Sequence, residues 1–317
     1  PAWRGRTGPR SGRGGRAFPR TAIRATVGRM VPAGREEARR RAAELLGRMS
    51  LEEKVGQMCM EPGDSAPENV GFDDLAGEQA ATELAAYQER MEEVARRVEA
   101  GRVGSFVKVP DSRAARWLQE RARASRLGIP LLIGTDAIHG HALYSREATV
   151  FPTPISTASS FDTDLAMRIA AATAREMRAT GYQWTFAPNV DVTRDQRWGR
   201  TGETFGEDPL VVARMGVATI AGLQADLSSE GVLACAKHLV GGGEAFNGIN
   251  GSEIDVSERT LEAVHYPGFR RAVEAGVLSV MAAHHAVNGV PCHAHPGLLR
   301  RLLVGAWRSE ERRVGKE

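Results

Sequence analysis

Ile129-Pro130-Leu131-Leu132-Ile133-Gly134-Thr135-Asp136 is an apolar run closed by a carboxylate, and the chain repeats this pattern. Gln183 to Pro188 and Val232 to Ala236 are further short apolar runs followed by polar residues, and Ser105–Val109 and Leu278–Ala283 complete a set of predicted strands. Between them, helical periodicity is predicted near residues 112–126, 162–180, 208–225 and 257–275. Parallel strands need a long crossover, which a helix supplies, so this alternation predicts an α/β fold with a parallel sheet. Five such strands suit either an open doubly wound sheet or part of an eight-stranded barrel. The glycines do not separate the two, since no G-x-G-x-x-G follows a strand. Gly241-Gly242-Gly243 follows one but lacks the Lys-Ser/Thr of a phosphate loop, and a substrate-facing turn is the better reading.

Working outward, a helical pattern begins at Arg35, and Ser50 with Glu53 has the spacing of a capping box. Residues 61–75, rich in Gly, Pro and acids, read as a loop before a charged amphipathic helix over Glu78–Glu99. The chain of 317 residues has the composition of a soluble globular protein, with no run approaching the roughly 18 apolar residues of a membrane span. The first 30 residues lack the apolar stretch of a secretory signal, which makes the cytoplasm the expected compartment. Cys59, Cys235 and Cys292 are odd in number and widely spaced, so three reduced thiols are expected rather than disulfides.

The net charge of +3 is unevenly placed, because residues 1–35 carry nine arginines and no acid. The remainder holds 33 basic against 39 acidic residues, and nucleic-acid binding would rest on the arm alone. The arm, residues 1–34, is expected to be disordered. It reads as a nucleic-acid tail, a transit peptide or, as favoured here, translated upstream sequence before a start at Met30. No nucleic-acid or membrane partner is expected for the body.

Three strand-end segments carry the chemistry. Asp136 stands where a barrel strand would deliver a carboxylate to the mouth, although on position alone it equally suits a helix N-cap. The loop Asp191 to Pro209 is long, charged and Gly-rich, as functional loops at strand ends are, though some of its arginines are expected simply to pair with Glu203, Glu207 and Asp208. Lys237 is one of only four lysines against 38 arginines, which hints at a need for a compact ammonium, and His238 stands beside it. A rival reading takes His139, His141, His238 and His284 as ligands of a metal-dependent barrel hydrolase.

Gly134-Thr135-Asp136-Ala137-Ile138-His139-Gly140, Arg197-Trp198-Gly199-Arg200 through Pro209, and Ala236-Lys237-His238-Leu239-Val240-Gly241 together resemble the motifs of glycoside hydrolase family 3. Met49 to Met58 resembles the opening of the family's barrels, and the likeness runs from about Met49 to Trp307. The resemblance implies a TIM-barrel-like (β/α)8 domain and a retaining exo-glycosidase of the β-glucosidase type that needs no cofactor and acts on a small β-glucoside or oligosaccharide. It also implies sugar-binding roles for Asp136, Arg200, Lys237 and His238, with Arg197 left as a structural partner. His284 is a further candidate, in a segment where the family usually carries Tyr-Asn. Glu244-Ala245-Phe246-Asn247 does not match the substrate-assisted branch that removes N-acetylglucosamine.

The family's nucleophile is an Asp in a Ser-Asp step expected beyond Trp307, where residues 308–317 change character and read as a foreign or out-of-frame tail. The expected layout is thus an arm over 1–34, a C-terminally incomplete barrel over 35–307 and a tail. No residue present is nominated as nucleophile or acid/base, and a chain lacking both is expected to be inactive. A sugar-binding fragment without catalysis is the alternative.

Overall fold

The computed structural model describes residues 35–63, 78–142 and 148–307. The expected arm, the expected tail and most of the loop read over 61–75 lie outside these residues.

Helices α1 (Arg35–Arg48) and α2 (Leu51–Gly56) lead into β1 (Met60–Pro62). There follow α3 (Glu78–Glu99), β2 (Ser105–Val107), α4 (Ser112–Ala124), β3 (Leu132–Thr135), α5 (Pro154–Ala158), α6 (Thr163–Ala179) and β4 (Trp184–Thr185). After α7 (Pro209–Leu223) come β5 (Cys235–Leu239), α8 (Tyr266–Glu274), β6 (Ser279–Ala282) and a small hairpin of β7 (Ala286–Val287) and β8 (Val290–Pro291).

Strand order distinguishes the two architectures that the sequence leaves open. β1 to β4 pair in chain order, all parallel. Parallel bridges Trp184 to Leu233 and Asn189 to Lys237 carry the order across to β5, which pairs with β6 in parallel. A doubly wound sheet reverses its order at a switch point, whereas a barrel never does. The six strands in unbroken sequence therefore form an arc of a TIM-type barrel. Among the described residues no further strand pairs with the free edge of β1 or of β6.

Local chemistry sets the helix boundaries. Asp111, Asp162, Asp208 and Ser257 each accept a backbone N–H from the first turn of the helix that follows. The Ser50 and Glu53 capping box forms with both reciprocal bonds. Asp208 alone takes the N–H groups of Leu210 and Val211, at 2.7 and 2.9 Å. Asp208→Ala is expected to lower stability by about 1 kcal/mol, measured by urea unfolding. The core lies between the arc and its outer helices, where Ile133, Met177, Ile220, Leu223 and Phe269 are buried. Gly134 is required by this packing, because a Cβ there would stand 2.7 Å from the Phe186 ring.

Two elements differ from the sequence expectation. β1 is a short strand at the start of the segment read as a loop; its three residues include a proline, too little for a β pattern to register. β5 does not stop before Lys237 but runs through Lys237 and His238 to Leu239. Three steps on β5, from Ala236 to Leu239, match two on β6, from Val280 to Ala282, so β5 bulges by one residue. The Lys237-His238 and Leu239-Val240 peptide bonds here are cis.

Candidate active site

The bulge re-aims two consecutive side chains. Lys237 is buried, and its Nζ donates to Asp136 Oδ1 at 2.6 Å, linking the ends of β5 and β3. No described helix begins at Asp136, and its carboxylate is 40% exposed, so one side of the pair is open to solvent.

His238 turns toward the segment that follows β4. Its main-chain N–H and its Nδ1 both meet Asp191 Oδ2, at 3.1 and 2.8 Å, and Asp191 is wholly buried. Arg200 approaches the other edge of the ring, with Nη2 at 3.3 Å from Nε2. The same guanidinium makes a two-pronged bond to Glu203, Nε to Oε1 at 2.9 Å and Nη2 to Oε2 at 2.7 Å, and lies over the Trp198 ring. The Trp198 indole N–H in turn donates to Asn250 Oδ1 at 2.8 Å. Asp136 with Lys237, and Asp191, His238, Arg200 and Glu203, thus form two hydrogen-bonded groups, neighbours through the Lys237-His238 step of β5 and set toward the C-terminal side of the strands, which is where TIM barrels carry their active sites. Arg197, by contrast, is exposed and paired with Asp195.

Burial pushes the Glu203 carboxyl up, but the hydrogen bonds and charge of Arg200 outweigh it, and the charge of Lys237 adds to them, leaving the group below its ordinary range. A depressed folded-state value stabilises the protein above the unfolded pKa of about 4.3, and that gain disappears as pH falls through the folded value. The stability advantage of wild type over Glu203→Gln is therefore expected to be constant near neutrality and to shrink below about pH 4. Urea midpoints across about pH 3–7 measure it.

The structure does not bring His284 into contact with the cluster. It is exposed two residues beyond β6, its ring 6.1 Å from that of His293, while the adjacent His285 turns inward and donates Nε2–H to Val240 O at 2.9 Å. The metal-site reading is corrected. His139 Nδ1 meets Phe151 O at 3.1 Å, buried His141 Nε2 meets Thr180 Oγ1 at 2.8 Å, and His238 is held by Asp191. These side chains diverge into separate packing environments, and among the described residues no three His, Cys, Asp or Glu gather to hold an ion.

Sequence reasoning missed Asp191. It stood between Val190 and Val192 at the start of a long charged loop with nothing to mark it as buried; its two bonds to His238 and the bridge of Asn189 to Lys237 show that it packs against β5. An apolar cavity lined by Ile138, Pro152, Ile169, Phe205 and Leu223 lies behind the loop after Asp136, and among the described residues its lining contains no carboxylate, lysine or arginine.

A singly wound parallel arc bearing carboxylates, an ammonium, an imidazole and a guanidinium toward its strand ends defines a TIM-type barrel domain with its polar groups on the face where such barrels carry their sites. The chain belongs to glycosyl hydrolase family 3, matching the family's N terminal domain over residues 50–308. It is 44% identical over 202 residues to a β-xylosidase of Formosa agariphila, covering 61% of this chain and 28% of that protein. Its identity to the periplasmic β-glucosidase of Salmonella typhimurium is 30% over 267 residues, 83% of this chain and 31% of the relative. Among solved structures, a β-glucosidase from Listeria innocua in complex with glucose superposes with a TM-score of 0.71 at 31% identity, over 85% of this chain and 36% of that one. An exo-1,3/1,4-β-glucanase from a Pseudoalteromonas species gives 0.72 at 31% identity, over 90% and 35%. The chain spans about a third of the length of these relatives.

Proposed function

We propose that this chain is the sugar-gripping part of a retaining exo-β-glycosidase that releases terminal β-D-glucosyl or β-D-xylosyl residues. The observation that carries the reading is the cluster itself. Asp136, Lys237, Arg200 and His238 come from three separate βα units and form two pairs, Asp136 with Lys237 at 2.6 Å and Arg200 with His238 at 3.3 Å, set side by side by consecutive residues of β5, a set of donors and acceptors suited to vicinal hydroxyls. The relatives named β-glucosidase and β-xylosidase support the substrate class.

Each carboxylate of the cluster is already engaged: Asp136 with Lys237, Asp191 with His238 and Glu203 with Arg200. Retaining hydrolysis needs a nucleophile free to attack and an acid able to give up a proton. Among the described residues the cluster offers no such free group, so it is read as a binding site, and the 1–317 polypeptide is expected to hold a monosaccharide without turning over an aryl glycoside. A ligand of glucose's size at about −0.3 kcal/mol per heavy atom implies a Kd on the order of 1 mM. Calorimetric titration with glucose and xylose, run beside a 4-nitrophenyl β-glucoside assay, tests both halves. No binding up to about 50 mM sugar, or turnover lost in Asp136→Ala, defeats the reading.

A further inference from the structure

Resting on the sugar-site reading, we infer that Asp191 is a positioning residue that holds His238 as the neutral Nδ1–H tautomer, so that Nε2 accepts a hydrogen bond from a sugar hydroxyl beside the donor Arg200. Three observations lead there. Asp191 Oδ2 receives both the main-chain N–H and the ring Nδ1 of the same residue, at 3.1 and 2.8 Å, which fixes the imidazole in plane and in rotation. A carboxylate offers no proton of its own, so Nδ1 carries one. On the far edge, Nε2 faces Arg200 Nη2 at 3.3 Å, and a guanidinium has only donors, so the nitrogen facing it presents its lone pair. An N–H on Nε2 would set two donors head to head.

Asp191 is buried to 0% exposure, and among the described residues its second oxygen, Oδ1, has no hydrogen-bond partner. Burial keeps solvent from competing for the two bonds made by Oδ2. The consequence for recognition is specific. Nε2 is an acceptor and Arg200 a donor on the same edge, a pair that a hydroxyl satisfies by donating to one and accepting from the other. The 3.3 Å contact between them is long and readily replaced. Fluorine accepts but cannot donate, so the edge separates a hydroxyl from its fluorinated isostere.

The test uses the 1–317 chain with ¹⁵N-labelled histidine, the His238 signals assigned by their loss in His238→Gln. In the sugar-free protein at neutral pH, Nδ1 is expected as the protonated nitrogen and Nε2 as the bare one. An Nε2–H tautomer, or a doubly protonated ring, overturns the inference. Asp191→Asn keeps an acceptor oxygen and is expected to keep the tautomer. Asp191→Leu, of similar shape, is expected to lose it; an unchanged His238 spectrum in this variant also overturns the inference. Should Asp191→Leu fail to fold, the wild-type and Asp191→Asn spectra decide. With a panel of monofluorinated deoxyglucoses, one position is expected to bind about tenfold more weakly than glucose in the wild type. Equal affinities across the panel overturn the acceptor role. If glucose itself does not bind while the Nδ1–H tautomer is seen, the sugar-site reading fails and takes the hydroxyl contact with it; Asp191's hold on the ring then stands by itself.

Discussion

Asp136→Ala is expected to destabilise the chain by about 2–3 kcal/mol, and adding Lys237→Met is expected to restore most of that loss. Lys237 is 2% exposed, and its ammonium bonds Asp136 at 2.6 Å. Removing one partner of a buried pair leaves an uncompensated charge, at a cost of about 3–5 kcal/mol when water cannot reach it. Asp136 is 40% exposed, so water can enter from that side and reduce the penalty. Replacing the ammonium with an apolar chain of similar length removes the stranded charge altogether. The double variant should therefore be nearly as stable as Lys237→Met alone. Urea unfolding of the four proteins gives the coupling energy, and additive losses would show that the pair is not the source of the effect. Glucose binding should be absent from all three variants, since stability can be restored without restoring the grip.

Gly243→Ala is expected to destabilise by about 3 kcal/mol or more and to weaken glucose binding with it. A Cβ on Gly243 would stand 2.1 Å from Val192 O and 3.2 Å from Thr193 Cα, both backbone atoms that no rotamer change can clear. Gly243 O also receives the N–H groups of Arg194 and Asp195, at 3.1 and 3.2 Å. The added methyl therefore pushes directly on the root of the loop that carries Arg200. Gly202→Ala is a fair control, because nothing lies within 4 Å of a Cβ there. Thermal unfolding and titration of both variants measure the difference, and a Gly243→Ala protein as stable as the control would contradict the close approach.

These glycines show how far the sequence could be read. Gly241-Gly242-Gly243 could be recognised as a turn at a strand end, but Gly242 and Gly243 also pack against the segment after β4, some fifty residues earlier, and no local pattern encodes that. Helix starts were legible because their causes are local: Asp208, Asp162 and Ser257 cap the turns directly after them. Strand cores were legible as apolar runs, and the barrel order followed only once the pairings were known. The extension of β5 through Lys237 and His238 was hidden because polar residues inside a strand read as its end. The hairpin around Asn288-Gly289 did carry a usable signal, since that dipeptide favours a two-residue turn, but its strands of two residues each are too short to show alternation. At the site, the motifs identified the residues individually. The pairing of Asp191 with His238 needed coordinates, because burial of one carboxylate among several in a loop depends on the opposite strand.

The bonds in the cluster also differ in how far apart their partners lie along the chain. Arg200 and Glu203 are three residues apart and can meet in a single turn, whereas Asp191 and His238 are separated by 47 residues and Asp136 and Lys237 by 101. Closing loops of that size costs entropy that is recovered only after the intervening strands and helices have docked. The guanidinium clamp thus carries the smallest closure cost of the three and the ammonium bridge the largest. On the proposed function, a sugar spanning both pairs would bind only chains in which β3, β4 and β5 have reached their final register.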